Sequence, residues 1–219
     1  MGRLLGGVTL LALVVGLGAA VGWAPRDAVQ GNVQRIMYLH VPAILTAYAA
    51  IGVAFVASLA YLRGRDARWD RLAHASVEVG VLFIAVTIVS GSLWGRPTWG
   101  TWWTWDARLT TTALLFIIYL GYLLLRRAVD DPERAATYAA VVAIVGALDV
   151  PIIHFSVEWW RTLHQPATLL RPQAPTMAAP MVATLLLNLA ATLCLYAFLV
   201  RRRMRLAALE AEARARRWR

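Results

Sequence analysis

The chain has 219 residues, 60% of them hydrophobic, with a mean hydropathy of +0.59. Apolar runs of this length exclude an ordinary soluble domain and define an integral membrane protein. The formal charge of +10 comes from arginine alone, since no lysine is present. The arginines sit beside apolar runs rather than on a soluble face, which points to membrane lipid and away from nucleic acid. The single cysteine, Cys194, lies inside an apolar run, so a disulfide framework and CxxC-type motifs are excluded.

Six runs approach the ~20 residues needed to cross a hydrocarbon core: 4–23, 41–62, 78–94, 110–125, 136–155 and 179–200. In lipid each must be a helix, because no water is present to satisfy backbone polar groups. The expected fold is therefore an all-α membrane protein of six transmembrane helices. Arg3 before the first run resembles a secretory leader, but no clean small-x-small site precedes Pro25, so the run is read as a span. Gly18 and Gly22 form a GxxxG that suits a neighbouring helix.

Sixteen arginines fall at the amino terminus, in 63–77, in 126–135 and in the tail 201–219. Six fall in 24–40, 95–109 and 156–178. The positive-inside rule then puts both termini in the cytoplasm and the 95–109 connection outside. Residues 1–200 form one six-span domain. The tail 201–219 reads as a basic helix on the inner membrane surface. No repeat is visible, which argues against a transporter built from inverted halves.

The connection between spans three and four is the most distinctive stretch. It reads Trp94-Gly-Arg-Pro-Thr-Trp99-Gly-Thr-Trp102-Trp103-Thr-Trp105-Asp106-Ala-Arg108, five of the ten tryptophans in twelve residues. Gly95, Pro97 and Gly100 are expected to end the preceding helix near Trp94. A short interfacial helix over 99–106 would put Trp99, Trp102, Trp103 and Asp106 on one face. Such a face is either an aromatic belt at the membrane interface or a platform for a large flat ligand, each ring burying ~150–250 Å². Asp106 and Arg108 either pair at the surface, or Asp106 orients the loop and leaves Arg96 or Arg108 for a ligand anion.

His74 falls in an arginine-rich connection, where solvation is the default. His40 precedes Pro42, which suits the first turn of a helix. His154 ends the fifth span, and His164 lies beyond Trp159 and Trp160. Three histidines thus share a side with the tryptophan-rich loop, and neutral imidazole is a common metal ligand. Arg35, Tyr38 and Arg161 are expected on that outer surface too. Asp149, just before Pro151, should face the bundle. It is read as bonding backbone groups freed by the proline, with a proton-relay role as the alternative. Glu78 and Glu158 look interfacial.

The run Trp-Gly-x-x-x-Trp-Gly-x-Trp-Trp-x-Trp-Asp-x-Arg-Leu-Thr resembles the WWD signature of haem-handling proteins in cytochrome c biogenesis. Within that group the chain is similar to the CcmC family. Ile36-Met-Tyr-Leu-His40-Val-Pro42 and Pro151-Ile-Ile-His-Phe-Ser-Val-Glu-Trp159-Trp160-Arg-Thr-Leu-His164-Gln165 add to the resemblance, which covers roughly 30–170. Larger WWD relatives have more spans.

The resemblance implies a haem b carrier of the bacterial inner membrane, with His40 and His164 as axial ligands. It implies a haem platform of Trp94, Trp99, Trp102, Trp103 and Trp105 with Asp106 and Arg108; His154 is not part of the family pattern. It also implies partners: the periplasmic haem chaperone CcmE, the ABC-type subunits CcmA and CcmB, and the small single-span CcmD. No nucleotide motif or nucleophile–base pair is present, so the expectation is a transfer subunit rather than an enzyme. A b-type electron carrier is the alternative, but that class pairs histidines deep within spans, as this sequence does not. A non-haem transporter subunit using Asp149 is a third reading.

Overall fold

The structure is a computed structural model and describes residues 2–165 and 176–217. Among these residues all regular structure is helical. Helix α1 spans Gly2–Gly18 and closes with a wider turn over Ala19–Trp23. A 3-10 turn, Val33–Ile36, leads into α2, Met37–Gly64. Then follow α3, Ala67–Trp99; α4, Ala107–Ala128; α5, Pro132–Ala147; α6, Asp149–Trp159; and α7, Ala179–Arg217. Helices α5 and α6 form one span broken at Leu148, so six helical spans are long and apolar enough to cross a membrane. The tryptophan-rich connection lies at one end of the bundle, the tryptophan end. The connections 65–66 and 129–131 lie at the other, the arginine end.

Local chemistry sets the helix ends. Asp66, Asp106 and Asp131 are N-caps whose carboxylates accept from Arg68 N, Leu109 N, and both Glu133 N and Arg134 N. Pro132 follows its cap at a first-turn position, where a missing N–H costs nothing. Arg65 (φ 54°) and Gly100 (φ 78°) stop α2 and α3 in the left-handed conformation.

Helix α2 is the centre of the bundle and packs on α3, α5 and α7. Its buried stripe is alanine: Ala43, Ala47, Ala50, Ala54 and Ala57 are each at most 1% exposed. Small side chains let spans approach closely, the main source of helix association in lipid. Tyr119, Tyr122, Leu115 and Ile84 fill the space around them. At the arginine end, Arg126 donates to both oxygens of Asp70 (2.5 and 2.9 Å), tying α4 to α3. Arg203 donates to both oxygens of Glu78 (2.7 and 2.5 Å), tying α7 to α3.

Several expectations change. Helix α3 starts at Ala67 and runs through Pro97 to Trp99, so the break falls at Gly100 rather than Trp94. Pro97 is tolerated because it removes one hydrogen bond in the last turns only. Helix α2 begins at Met37, so Pro42 is inside it and His40 belongs to the helix; the 3-10 turn ahead supplies the nucleus. Residues 101–106 are not helical, and no single helix face carries Trp99, Trp102, Trp103 and Asp106.

The GxxxG meets no neighbour: a Cβ at Gly18 or Gly22 would touch nothing. Gly6 and Gly16 make the close approach to α7 instead, against Phe198 and Asn188. Helix α7 continues without a break past residue 200, so the tail is helical and continuous with the last span. Tyr38 is buried, 2% exposed, and is not part of an outer surface. His74 is not simply solvated: it stacks on Tyr122, and its Nδ1 is buried without a partner. Arg171 lies outside the described residues.

Candidate functional site

A cavity opens at the tryptophan end between α2, α3, α4 and α6. His40, Ile44, Leu45 and Tyr48 line it from α2, and Thr87, Ile88, Gly91, Trp94 and Trp99 from α3. Arg108, Leu109 and Thr112 of α4, Ile153 and His154 of α6, Trp103, His164 and Gln165 complete it. Its volume is 140 Å³, below the roughly 300–1,000 Å³ of a pocket that encloses a drug-sized ligand. A smaller space of 30 Å³ adjoins it and shares His40, Gly91, Trp94, Trp99, His164 and Gln165.

His40 and His164 meet here although 124 positions separate them in sequence. Their ring centres are 6.2 Å apart, with 28° between planes. Two imidazoles on opposite sides of one metal, with bonds of about 2 Å, place their ring centres about 6 Å apart. Each histidine packs edge-on against its own tryptophan: Trp94 lies 5.8 Å from His40, and Trp99 lies 5.4 Å from His164. Trp94 is anchored by its indole N–H, which donates to Gln30 Oε1 at 2.8 Å.

Hydrogen-bond accounting fixes the His40 tautomer. Its Nδ1 is 3.1 Å from the Thr87 carbonyl and 3.2 Å from Ser90 Oγ. A carbonyl only accepts, and the Ser90 hydroxyl already donates to Val86 O at 2.6 Å. Nδ1 therefore carries the proton, and Nε2 keeps the lone pair that binds a metal. His164 lies beyond the last turn of α6. Burial, then the Arg108 charge and His40, push its pKa down to about 3. It is neutral near pH 7, as a metal ligand must be.

Asp106 holds the outer connections together. Oδ1 accepts from Leu109 N at 2.9 Å. Oδ2 accepts from Thr104 Oγ1 at 3.3 Å and from Leu163 N at 3.4 Å, one residue before His164. It forms no ion pair with Arg108 among the described residues, so the orienting reading is the one the geometry matches. Arg96 donates to the Gly100 carbonyl and closes its own helix end. Arg108 lines the cavity and makes no ion pair among the described residues. The buried Tyr48 hydroxyl lies within hydrogen-bond reach of its guanidinium, and Trp103 Nε1 is buried without a partner. Arg108, Tyr48 and Trp103 thus bring polar donors to a largely apolar space, which suits a ligand carrying anionic groups.

The structure brings together His40, His164, Trp94, Trp99, Trp103 and Arg108. It does not bring Trp102 or Trp105 to the cavity: they are 56% and 78% exposed, Trp105 covering the edge of Trp103. Asp106 acts from behind. Sequence reasoning missed Tyr48, Thr87, Ser90, Gly91 and Thr112 as parts of the site, and it set His154 aside, although His154 lines the cavity. Polar or small residues inside apolar spans were the available signal, shared with many structural positions. Asp149 is 6% exposed with Oδ2 unpartnered, so that oxygen does not bond the backbone near Pro151 as expected.

Six spans with a two-histidine cavity beneath an aromatic connection define a polytopic membrane protein with a ligand pocket at one end. The sequence matches the family described as Heme exporter protein C along residues 1–219. It is 48% identical over 167 residues to Heme exporter protein C of Bradyrhizobium diazoefficiens, covering 76% of this chain and 63% of that protein. It is 39% identical over 207 residues to the Haemophilus influenzae protein of that name, covering 94% and 84%. The Escherichia coli protein of that name is 40% identical over 178 residues, covering 79% and 71%. The chain belongs to the Heme exporter protein C family and is a multi-pass protein of the inner membrane.

Proposed function

We propose that this chain binds haem b at the periplasmic face and presents it to the haem chaperone CcmE during c-type cytochrome biogenesis. It does so beside the ABC-type subunits CcmA and CcmB and the single-span CcmD. The observation that carries the reading is the His40–His164 pair, with ring centres 6.2 Å apart, inside a cavity that Arg108, Tyr48 and Trp103 also line.

Haem needs axial nitrogens, flat apolar walls and partners for two propionates. His40 Nε2 and His164 supply the first, and Trp94, Trp99 and Trp103 the second. Arg108, with Trp103 Nε1–H and Tyr48 O–H, supplies the third. The cavity is small for a porphyrin, so haem would need the 160–165 segment, which Asp106 holds through one long bond, to give way. A carrier whose ligand loop is lightly held can also release its cargo, as transfer requires. The chain contributes no hydrolysis of its own and acts as a transfer subunit. The arginine distribution supports a topology with both termini in the cytoplasm and the tryptophan end outside.

The test is transfer in proteoliposomes holding this chain, CcmD and haem, with purified chaperone added outside. Haem should appear on the chaperone with wild type and fall at least tenfold with His40→Ala or His164→Ala. Equal loading with and without this chain would refute the proposal.

A further inference from the structure

We infer that Gly91 of α3 is a positioning residue for the haem site: it opens the seat in which the His40 ring is held by Thr87 and Ser90. This rests on the reading of His40 as a haem ligand and concerns how the chain presents that ligand.

The His40 ring lies across the α2–α3 contact rather than hanging free in the cavity. A Cβ on Gly91 would stand 2.9 Å from His40 Cε1 and 3.4 Å from Nδ1. No real methyl group tolerates the first distance, and neither atom can yield easily. Cε1 belongs to a rigid ring whose Nδ1 is tied to Thr87 O and Ser90 Oγ, and Trp94 closes another side. The backbone at Gly91 is ordinary α-helix, so nothing in its conformation demands glycine. Alanine would in fact raise helix propensity. The space for His40 is what the glycine provides.

The consequence for the metal is specific. Ordering imidazole through its other nitrogen fixes the direction of the ligating lone pair and raises ligand basicity, and losing such support costs about 10–100-fold in metal affinity. Gly91→Ala would push the ring off both acceptors and so change the direction in which Nε2 points.

The experiment compares detergent-purified wild type, Gly91→Ala, His40→Ala and the double variant. Haem retention on dilution and the low-spin absorption bands are read for each. Gly91→Ala should lose haem about 10–100-fold faster, with weakened low-spin bands, and should add nothing in the His40→Ala background, because its effect passes through the ring. An inert Gly91→Ala beside a normal His40→Ala loss would overturn this inference alone. Equal damage by Gly91→Ala in both backgrounds would overturn it too, since the effect would then be general packing. An unchanged His40→Ala spectrum would remove the ligand reading and this inference together. If Gly91→Ala is not recovered from membranes, Ser90→Ala replaces it. That variant removes an acceptor without adding bulk and should raise the haem reduction potential, while Ser90→Thr restores it. No shift in Ser90→Ala would count against the seat.

Discussion

Replacing Asp106 with alanine tests how the His164 segment is held. The carboxylate caps α4 through Leu109 N at 2.9 Å, and losing an N-cap costs about 1 kcal/mol. It also loses Thr104 Oγ1 at 3.3 Å and Leu163 N at 3.4 Å. Both are long, so each is set at the low end of the usual net value, about 0.5 kcal/mol. The total is about 2 kcal/mol if all three bonds give way together as the connection opens, and since 1.4 kcal/mol is tenfold, His164 should be out of place up to about 30 times more often. Asp106→Asn keeps one acceptor oxygen and remains a good cap, so its loss should be within about fivefold. Haem retention per folded protein and amide exchange at Leu163 and His164 read the effect. Wild-type haem content and exchange in Asp106→Ala would refute the reasoning, as would an asparagine variant as damaged as the alanine one.

Trp99→Ala and Trp103→Ala should lower haem retention by the isolated chain. Trp102→Ala and Trp105→Ala should leave it near wild type and lower transfer to the chaperone, since their rings face outward; retention assays with and without chaperone separate the two groups. The pKa of His164 lies at about 3 in the closed site against an ordinary 6.5. Between those values the undocked segment binds more protons, so docking in haem-free protein should weaken as pH falls from 6.5 toward 3 and stay constant above 6.5. Amide exchange over 161–165, corrected for intrinsic rate, checks this, and His164→Gln should abolish the dependence. At Gly146 an added Cβ would lie 2.8 Å from Ile118 Cγ2 and 3.1 Å from Tyr119. Gly146→Ala should therefore lower Tm by an overpacking cost of about 1–3 kcal/mol while leaving the haem spectrum unchanged.

The six spans were legible because hydropathy over twenty residues is a strong signal; their ends were not. Pro42 and Pro97 looked like boundaries, yet both lie inside helices, where one lost hydrogen bond is outweighed by packing along the rest of the span. The 99–106 periodicity suggested a helix face, but Gly100 takes a left-handed conformation and Asp106 starts a new helix, so the tryptophans divide between cavity and surface.

The meeting of His40 with His164 was not readable from spacing across 124 positions; it entered through the WWD resemblance. Asp106 was legible as one of two alternatives. Gly91, Ser90 and Thr87 were invisible because their role depends on which helix packs across them.

His40 and His164 are proposed to ligate haem iron from opposite faces. The most direct measurement is the visible absorption spectrum of purified protein, oxidised and dithionite-reduced, for wild type, His40→Ala and His164→Ala. Ligation by both histidines gives six-coordinate low-spin haem in wild type and its loss or conversion to five-coordinate haem in each variant. A wild-type spectrum in either variant would contradict it.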